Sequence, residues 1–218
     1  MEKKERVLVY CGTNNGEGFF RTIWSGNWDH IYGFEANPVL YQNIKDQLDG
    51  DPRVKMYNTI LSDKHDEEQD FYILDANEGG KDYASSVVNV SEWLPEYTKI
   101  SGNQIDLKGS IKLKTTNLNT FLEEEGITEI DYLLTDLEGS DFLVVNTIKD
   151  FLLEGKIKVM QCEVEPDHMP NKYRVLDNKL AQFRELVDEK YELIYTDPYA
   201  EEHWFSVDHR WQLKEEYR

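Results

Sequence analysis

Acidic residues follow two of the apolar runs in the chain, and these side chains are best suited to carry out chemistry. Asp136 and Glu138 follow one run, and Glu163 and Glu165 end the next. If both runs are parallel strands, their carboxyl ends meet at the sheet edge where α/β proteins bind ligands. A carboxylate crowded by others, or His168 just beyond them, can act as a general base toward a hydroxyl group. The predicted catalytic residues are Asp136, Glu138, Glu163 and His168.

A glycine-containing loop and one carboxylate near the N-terminus indicate a nucleoside cofactor. Residues 12–16 (GTNNG) follow the first apolar run, and Glu35 ends the second, where a carboxylate accepts hydrogen bonds from ribose hydroxyls. Asn14 occupies the second glycine position of the dinucleotide fingerprint, so a cofactor without a pyrophosphate fits this loop better. Residues 61–63 (LSD) offer an apolar crevice with a polar end for an adenine ring. The predicted cofactor-binding residues are Cys11, Gly12, Thr13, Asn14, Gly16, Glu35, Ala36, Ser62, Asp63 and Asp136.

The elements that must position these side chains alternate between strands and helices, which favours a parallel sheet covered on both faces. Residues 191–195 and 203–207 are too close in sequence for a parallel crossover and predict an antiparallel hairpin. We therefore predict one α/β domain over residues 1–218, with a mostly parallel seven-stranded sheet that ends in this hairpin and helices on both faces. The predicted strands are 6–11, 30–35, 54–59, 69–74, 111–115, 131–136, 158–164, 191–195 and 203–207, and the predicted helices are 16–24, 37–48, 118–125, 141–153 and 175–190.

Residues 75–110 show no clean periodicity, and a segment of this length inside a compact domain is more often functional than a simple connection. Two interpretations are open: a substrate lid, or a partly helical surface insertion. The predicted substrate-binding residues are Tyr83, Ser85 and Ser86 from this segment, together with Glu165.

The net charge of the chain limits the classes of molecule that it can bind. The chain has 24 Lys and Arg against 43 Asp and Glu, a net charge of −19, which repels nucleic-acid backbones and anionic membranes. The N-terminus has no long apolar stretch, so we expect a cytoplasmic protein without a membrane segment. Cys11 and Cys162 are expected to end strands too far apart for a disulfide. The expected partner is a small-molecule or glycan acceptor; the oligomeric state is not predicted.

Six sequence features follow one another along the chain: Tyr10-Cys11-Gly12-Thr13-Asn14-Asn15-Gly16, Phe34-Glu35-Ala36-Asn37-Pro38, Leu61-Ser62-Asp63, Ser85-Ser86, Asp136-Leu137-Glu138-Gly139 and Glu163. Together they resemble the FkbM family of S-adenosylmethionine-dependent methyltransferases. They occur in family order across residues 6–207, and the F-E-x-N-P and D-x-E-G pieces are the most specific. The resemblance implies a Rossmann-like class I methyltransferase fold, S-adenosyl-L-methionine as cofactor, and O-methylation of a hydroxyl on a sugar or secondary metabolite.

Two residues depart from the family pattern and keep alternatives open. Tyr10 stands where an acidic residue is usual, and Thr135 is interpreted as replacing a lysine just before Asp136. These changes leave room for a cofactor-binding or scaffold protein that has lost catalysis, while an NAD-dependent oxidoreductase is disfavoured by the loop and the hairpin. The acidic cluster with His168 also suits a hard divalent cation, but we predict a metal-free site.

Overall fold

The computed structural model describes residues 4–76, 85–89, 91, 94–95, 105–168, 176–198 and 206–218. Ten strands and six helices are assigned in this part of the chain. The strands are β1 (Val7–Cys11), β2 (His30–Phe34), β3 (Val54–Tyr57), β4 (Ile60–Ser62), β5 (Glu68–Ala76), β6 (Ile105–Asn117), β7 (Ile130–Thr135), β8 (Ile157–Val164), β9 (Tyr191–Thr196) and β10 (Val207–Leu213). The helices are α1 (Glu17–Ser25), α2 (Pro38–Gln47), α3 (Leu118–Glu124), α4 (Asp141–Thr147), α5 (Lys149–Leu153) and α6 (Leu180–Val187).

Seven strands form the main sheet in the order β3-β2-β1-β7-β8-β10-β9. The first five pair in parallel, and β10 runs antiparallel to both β8 and β9. This confirms the predicted mostly parallel sheet with an antiparallel ending. The last strand differs from its predicted bounds of 203–207 and covers Val207–Leu213, in which Val207, His209, Trp211 and Leu213 are the buried alternate residues.

Helices cover both faces of this sheet, as predicted. On one face α1 and α2 pack Phe19, Phe20 and Ile44 against the strands, and on the other α3 to α6 enclose the larger core around Phe121 and Phe183. Fully burying an aromatic side chain of this kind contributes about 1.5–3 kcal/mol, so both faces add to stability.

Helix boundaries depend on local chemistry. At the start of α2 the Asn37 side chain accepts hydrogen bonds from the amides of Val39 and Leu40, and Pro38 occupies the first turn. The helix predicted over 141–153 is two helices separated at Ile148, and the helix predicted over 175–190 covers only Leu180–Val187. Periodicity alone could not reveal either change, because both segments keep an apolar face.

A second sheet of three strands, in the order β4-β6-β5, was not predicted. β6 pairs parallel to β4 and antiparallel to β5, and it begins at Ile105, inside the segment that we interpreted as a lid or insertion. Ser86, from the middle of that segment, forms an antiparallel bridge with Tyr72 on β5. Ser86 and residues 75–76 and 105–110 of the segment are therefore joined to this second sheet.

Two further features bear on the expectations about a disulfide and a membrane segment. Cys11 and Cys162 are both buried free thiols, on strands that are separated by β7. Within the described ranges, no helix is both long enough and apolar enough to cross a membrane.

Candidate active site

A cleft opens at the carboxyl ends of β1, β2 and β7, the edge at which the acidic residues were expected. Its empty space, including the mouth that is open to solvent, is about 590 Å³. The lining residues are Gly12, Asn14, Phe34, Glu35, Ala36, Leu40, Thr59, Ile60, Leu61, Phe71, Ser85, Val87, Asp136, Leu137, Glu138 and Ser140.

The loop after β1 closes tightly against the end of β7 at Gly12. This residue has φ +85°, and a Cβ placed on it would lie 1.9 Å from the carbonyl oxygen of Asp136. Its amide donates to the Phe34 carbonyl oxygen (3.0 Å), and the Asp136 amide donates to the carbonyl oxygen of Cys11 (3.0 Å). Only glycine fits here, because both the backbone conformation and the close approach exclude a side chain.

Glu35 lies at the base of the cleft, where its carboxylate joins two elements. One oxygen accepts a hydrogen bond from the Asn14 amide (2.6 Å), and the other accepts one from the Asn37 amide (2.8 Å). The Asn58 side chain donates to the Glu35 and Ala36 carbonyl oxygens and fixes the backbone at this point. Since each carboxylate oxygen has more than one acceptor site, the group retains the capacity to bind a ribose diol.

The predicted cofactor residues divide into three sets. Five line the cleft, namely Gly12, Asn14, Glu35, Ala36 and Asp136. Cys11, Thr13 and Gly16 do not line it: Cys11 and Thr13 are buried, and the Gly16 amide donates to the Thr13 carbonyl oxygen. Ser62 and Asp63 line a neighbouring cavity instead.

Much of the apolar wall of the cleft was not predicted from the sequence. Leu40 and Phe71 line it beside Ala36 and Leu61, and this combination can hold a flat ring. The alternation of polar and apolar residues in its strand indicated that Phe71 is on the buried face, but no sequence pattern showed that β5 approaches this cleft.

The three predicted catalytic carboxylates lie together: two of them line the cleft, and the third, Glu163, lies beside them. Asp136, Glu138 and Glu163 each offer an oxygen within 4.8 Å of the others. Desolvation by the surrounding protein, and then repulsion from Glu163 and Glu138, raise the pKa of the Asp136 carboxyl above its usual range. Because the Asp136 side chain is exposed in the cleft, repulsion from the neighbouring carboxylates contributes more to this rise in pKa than desolvation does. A divalent cation suits such a group, but acidic residues also cluster without one.

Hydrogen bonds with nearby polar groups hold the backbone and one carboxylate of this cluster in place. Asp141 is fully buried, and its two oxygens accept the Leu137 amide at 3.2 Å each. Burial, with repulsion from Glu163, raises the pKa of Asp141. The Ser206 hydroxyl donates to Glu163 (2.6 Å), which fixes one carboxylate of the group.

His168 and Glu165 are placed apart from this group. His168 is exposed, and the carboxylate group does not include it. Glu165 is fully buried and forms an ion pair with Lys179 (3.1 Å), an arrangement that supports the backbone after β8 rather than opening to the cleft.

The predicted substrate residues of the 75–110 segment differ in whether they line the cleft. Ser85 lines the cleft, and its hydroxyl accepts the Leu74 amide (3.1 Å). Ser86 is buried, and its hydroxyl donates to the Glu138 carbonyl oxygen (3.0 Å). Tyr83 lies outside the described residues.

The two departures from the family pattern are both accommodated by packing. Tyr10 is buried against Phe19 with an edge-to-face ring contact (5.2 Å), and burial followed by repulsion from Asp136 raises its pKa. Thr135 is fully buried and does not line the cleft, so a lysine at this position would not place its charge in the cleft. The full family motif is K-x-D-x-E-G, in which the lysine stands two residues before the aspartate; that position is Leu134 here, and it packs in the same core cluster as Tyr10. This corrects the interpretation of Thr135.

Comparison with known proteins finds similarity to methyltransferases. Residues 11–193 match the methyltransferase FkbM domain. The chain is 22% identical over 158 residues to the 2-O-methyltransferase NoeI of Sinorhizobium fredii (strain NBRC 101917 / NGR234), a match that covers 72% of this chain and 63% of NoeI.

The structure is similar to the crystal structure of methyltransferase FkbM from Methylobacillus flagellatus KT, with a TM-score of 0.55 and 11% identity. That match covers 94% of this chain and 43% of the other. The chain thus spans less than two thirds of the length of either protein, and the structural likeness concerns the fold alone. The family match over most of the sequence shows that the chain belongs to the FkbM family of methyltransferases.

Proposed function

We propose that the protein uses S-adenosyl-L-methionine to methylate a hydroxyl group of a sugar, glycan or secondary metabolite. The observation that carries this proposal is the position of Glu35, whose carboxylate lies at the base of the same cleft that bears Asp136 and Glu138 at its open side. A diol-binding carboxylate and candidate bases in one cleft suit a nucleoside cofactor that reacts with a bound hydroxyl.

The residues of the cleft fit the parts of this cofactor. Ala36, Leu40, Leu61 and Phe71 offer an apolar wall for the adenine ring, and Glu35 would accept hydrogen bonds from the ribose hydroxyls. The backbone at Gly12, which no side chain obstructs, would lie along the amino-acid part. When bound, the cofactor supplies an electrophilic methyl group on a positively charged sulfur, and the nearby carboxylates favour that charge.

The carboxylate group can activate and orient the acceptor. Asp136 would accept the proton of the acceptor hydroxyl at a carboxylate oxygen, and its raised pKa makes it a better base than an ordinary aspartate. Glu138 and Glu163 would hold the acceptor by accepting hydrogen bonds from its other hydroxyls. Alignment of the hydroxyl with the methyl group is then the main contribution of the protein to the rate.

A neutral polyol is the acceptor class that these charges favour. An anionic acceptor would be repelled by the three carboxylates and by the net charge of −19. The name of NoeI, a 2-O-methyltransferase, supports transfer to oxygen. Nucleic acid is a poor acceptor for the same electrostatic reason.

Calorimetric titration with S-adenosylhomocysteine and, separately, with NAD tests the cofactor. We expect S-adenosylhomocysteine to bind and NAD to give no heat above dilution; binding of NAD alone would refute the proposal. The second step is incubation with cofactor carrying a labelled methyl group and a panel of neutral glycans, from which we expect a labelled methyl ether. Binding of S-adenosylhomocysteine without transfer to any acceptor would instead support the alternative of a cofactor-binding protein without catalysis.

A further inference from the structure

The Ser86 hydroxyl lies between the catalytic carboxylates and the second sheet. Ser86 is 1% exposed, its hydroxyl donates to the Glu138 carbonyl oxygen (3.0 Å), and it accepts the Val88 amide (3.2 Å). Its single proton is thus used within the protein, and its surface is closed to a ligand. These contacts do not fit the substrate-binding role that the sequence suggested.

We propose that Ser86 is a positioning residue, which holds the Glu138 backbone in the conformation that brings the Glu138 carboxylate to Asp136 and Glu163. The inference rests on the proposed function for the role of these carboxylates, but the contacts that carry it are independent of the cofactor.

Glu138 needs such support because its backbone is in an unfavourable region. Its φ is +49°, a left-handed conformation that residues with a Cβ rarely adopt, and Gly139 follows with φ +97°. A conformation of this kind persists when surrounding contacts hold it. The bond from Ser86 to the Glu138 carbonyl oxygen is a contact at the strained residue itself.

Ser86 can act as a support because it is itself fixed. Its amide donates to the Tyr72 carbonyl oxygen (3.1 Å), and its carbonyl oxygen accepts the Tyr72 amide (2.8 Å). Next to it, the Ser85 hydroxyl accepts the Leu74 amide, which is also on β5. The hydroxyl of Ser86 therefore connects the three-stranded sheet to the loop after β7, and it fixes the distance between the wall of the cleft and the carboxylate group.

The test compares Ser86→Ala with Ser86→Thr in the full-length protein, by carboxyl-¹³C NMR titration. In the wild type, repulsion from Glu138 contributes to the raised pKa of Asp136. We expect the alanine variant to release Glu138 and to lower the Asp136 midpoint by at least about 0.5 pH units, and the threonine variant, which keeps the hydroxyl, to retain the wild-type midpoint. The Asp136 resonance is assigned by its loss in Asp136→Asn.

Ser25→Ala is the matched control, since the Ser25 hydroxyl makes the same kind of bond to the Thr22 carbonyl oxygen at the exposed end of α1. It should leave the Asp136 midpoint unchanged. With any acceptor that the glycan panel identifies, Ser86→Ala should lower kcat about tenfold or more and leave the dissociation constant of S-adenosylhomocysteine within about twofold.

The outcomes separate the two proposals. If the wild type does not bind S-adenosylhomocysteine, the proposed function fails, whatever the titration shows. If it binds and Ser86→Ala lowers only the melting temperature while the Asp136 midpoint stays the same, Ser86 is merely structural and the positioning proposal is refuted.

Discussion

Gly12→Ala is the most direct perturbation of the candidate site, because the structure defines what the new methyl group would meet. The Cβ would lie 1.9 Å from the Asp136 carbonyl oxygen, far inside any real contact, and the residue has φ +85°. The loop after β1 and the end of β7 must therefore separate by more than about 1 Å to accommodate it.

The cost has two parts. A left-handed backbone costs a residue with a Cβ about 1–2 kcal/mol. Separation of the two segments also strains the bonds from Gly12 to Phe34 and from Asp136 to Cys11, each worth about 1 kcal/mol net. The clash therefore adds about 2 kcal/mol to the backbone cost. For a domain of this size it lowers Tm by a further roughly 4–8 °C.

Gly50→Ala isolates the first part of this cost. Gly50 has φ +89°, but its Cβ would meet no atom within 4 Å. Thermal unfolding of both variants should show the additional fall in Tm for Gly12→Ala alone, and calorimetry with S-adenosylhomocysteine should show at least about tenfold weaker binding for Gly12→Ala, with Gly50→Ala unchanged. Equal melting temperatures and equal affinities for the two variants would refute the reasoning.

Three further predictions concern side chains of the site. Glu35→Gln should weaken S-adenosylhomocysteine binding about 10- to 100-fold in calorimetry, because charge-assisted hydrogen bonds to a diol are lost. Asp136→Asn should lower kcat about 100-fold or more. The variant should also melt at a higher temperature than the wild type, and this difference in Tm should increase as the pH is raised from 4 to 8. The sign follows from the raised pKa: the folded state retains a proton that the unfolded state has lost, so ionisation of Asp136 destabilises the folded protein as the pH rises. His168→Asn should keep kcat within about threefold, since this side chain is exposed and outside the carboxylate group.

Each of these predictions has a control and a contrary result. Glu17→Gln removes an exposed carboxylate, and affinity equal to that of Glu35→Gln would contradict a diol-binding role. Asp66→Asn should show no growing gain in Tm between pH 4 and 8, because Lys114 lowers the pKa of Asp66 and this carboxyl is largely ionised in both the folded and the unfolded state over that range. A growing gain in both variants would count against repulsion as the cause. A loss of kcat above about 100-fold in His168→Asn would reassign the base to that histidine.

Much of the main sheet could be predicted because its strands are short apolar runs separated by clear turn and helix signals. The antiparallel ending followed from the short connection between its two strands, although the alternation that defines β10 begins only at Val207. The second sheet was not predictable, since β6 is largely polar and its pairing with β4 and β5 depends on contacts distant in sequence.

The candidate site was predictable where residues follow strands directly. Glu35, Asp136 and Glu138 line the cleft because parallel strands bring their carboxyl ends together. Ser86 and Glu165 were harder, because contacts inside the protein decide their roles: the Ser86 hydroxyl donates to a backbone carbonyl oxygen, and the Glu165 carboxylate forms an ion pair with Lys179. A sequence shows residue types at such positions but not which of their atoms are already bonded.

The two hydrogen bonds of Glu35 bear on how a cofactor would enter. They join the Asn14 and Asn37 amides through protein atoms alone, so the chain itself holds the loop after β1 and the start of α2 in place. The entropy of ordering these segments is therefore spent during folding, and association should be limited by diffusion and orientation rather than by loop closure. Amide hydrogen exchange at these two asparagines should accordingly be slow in the free protein, with little further protection once a nucleoside is bound.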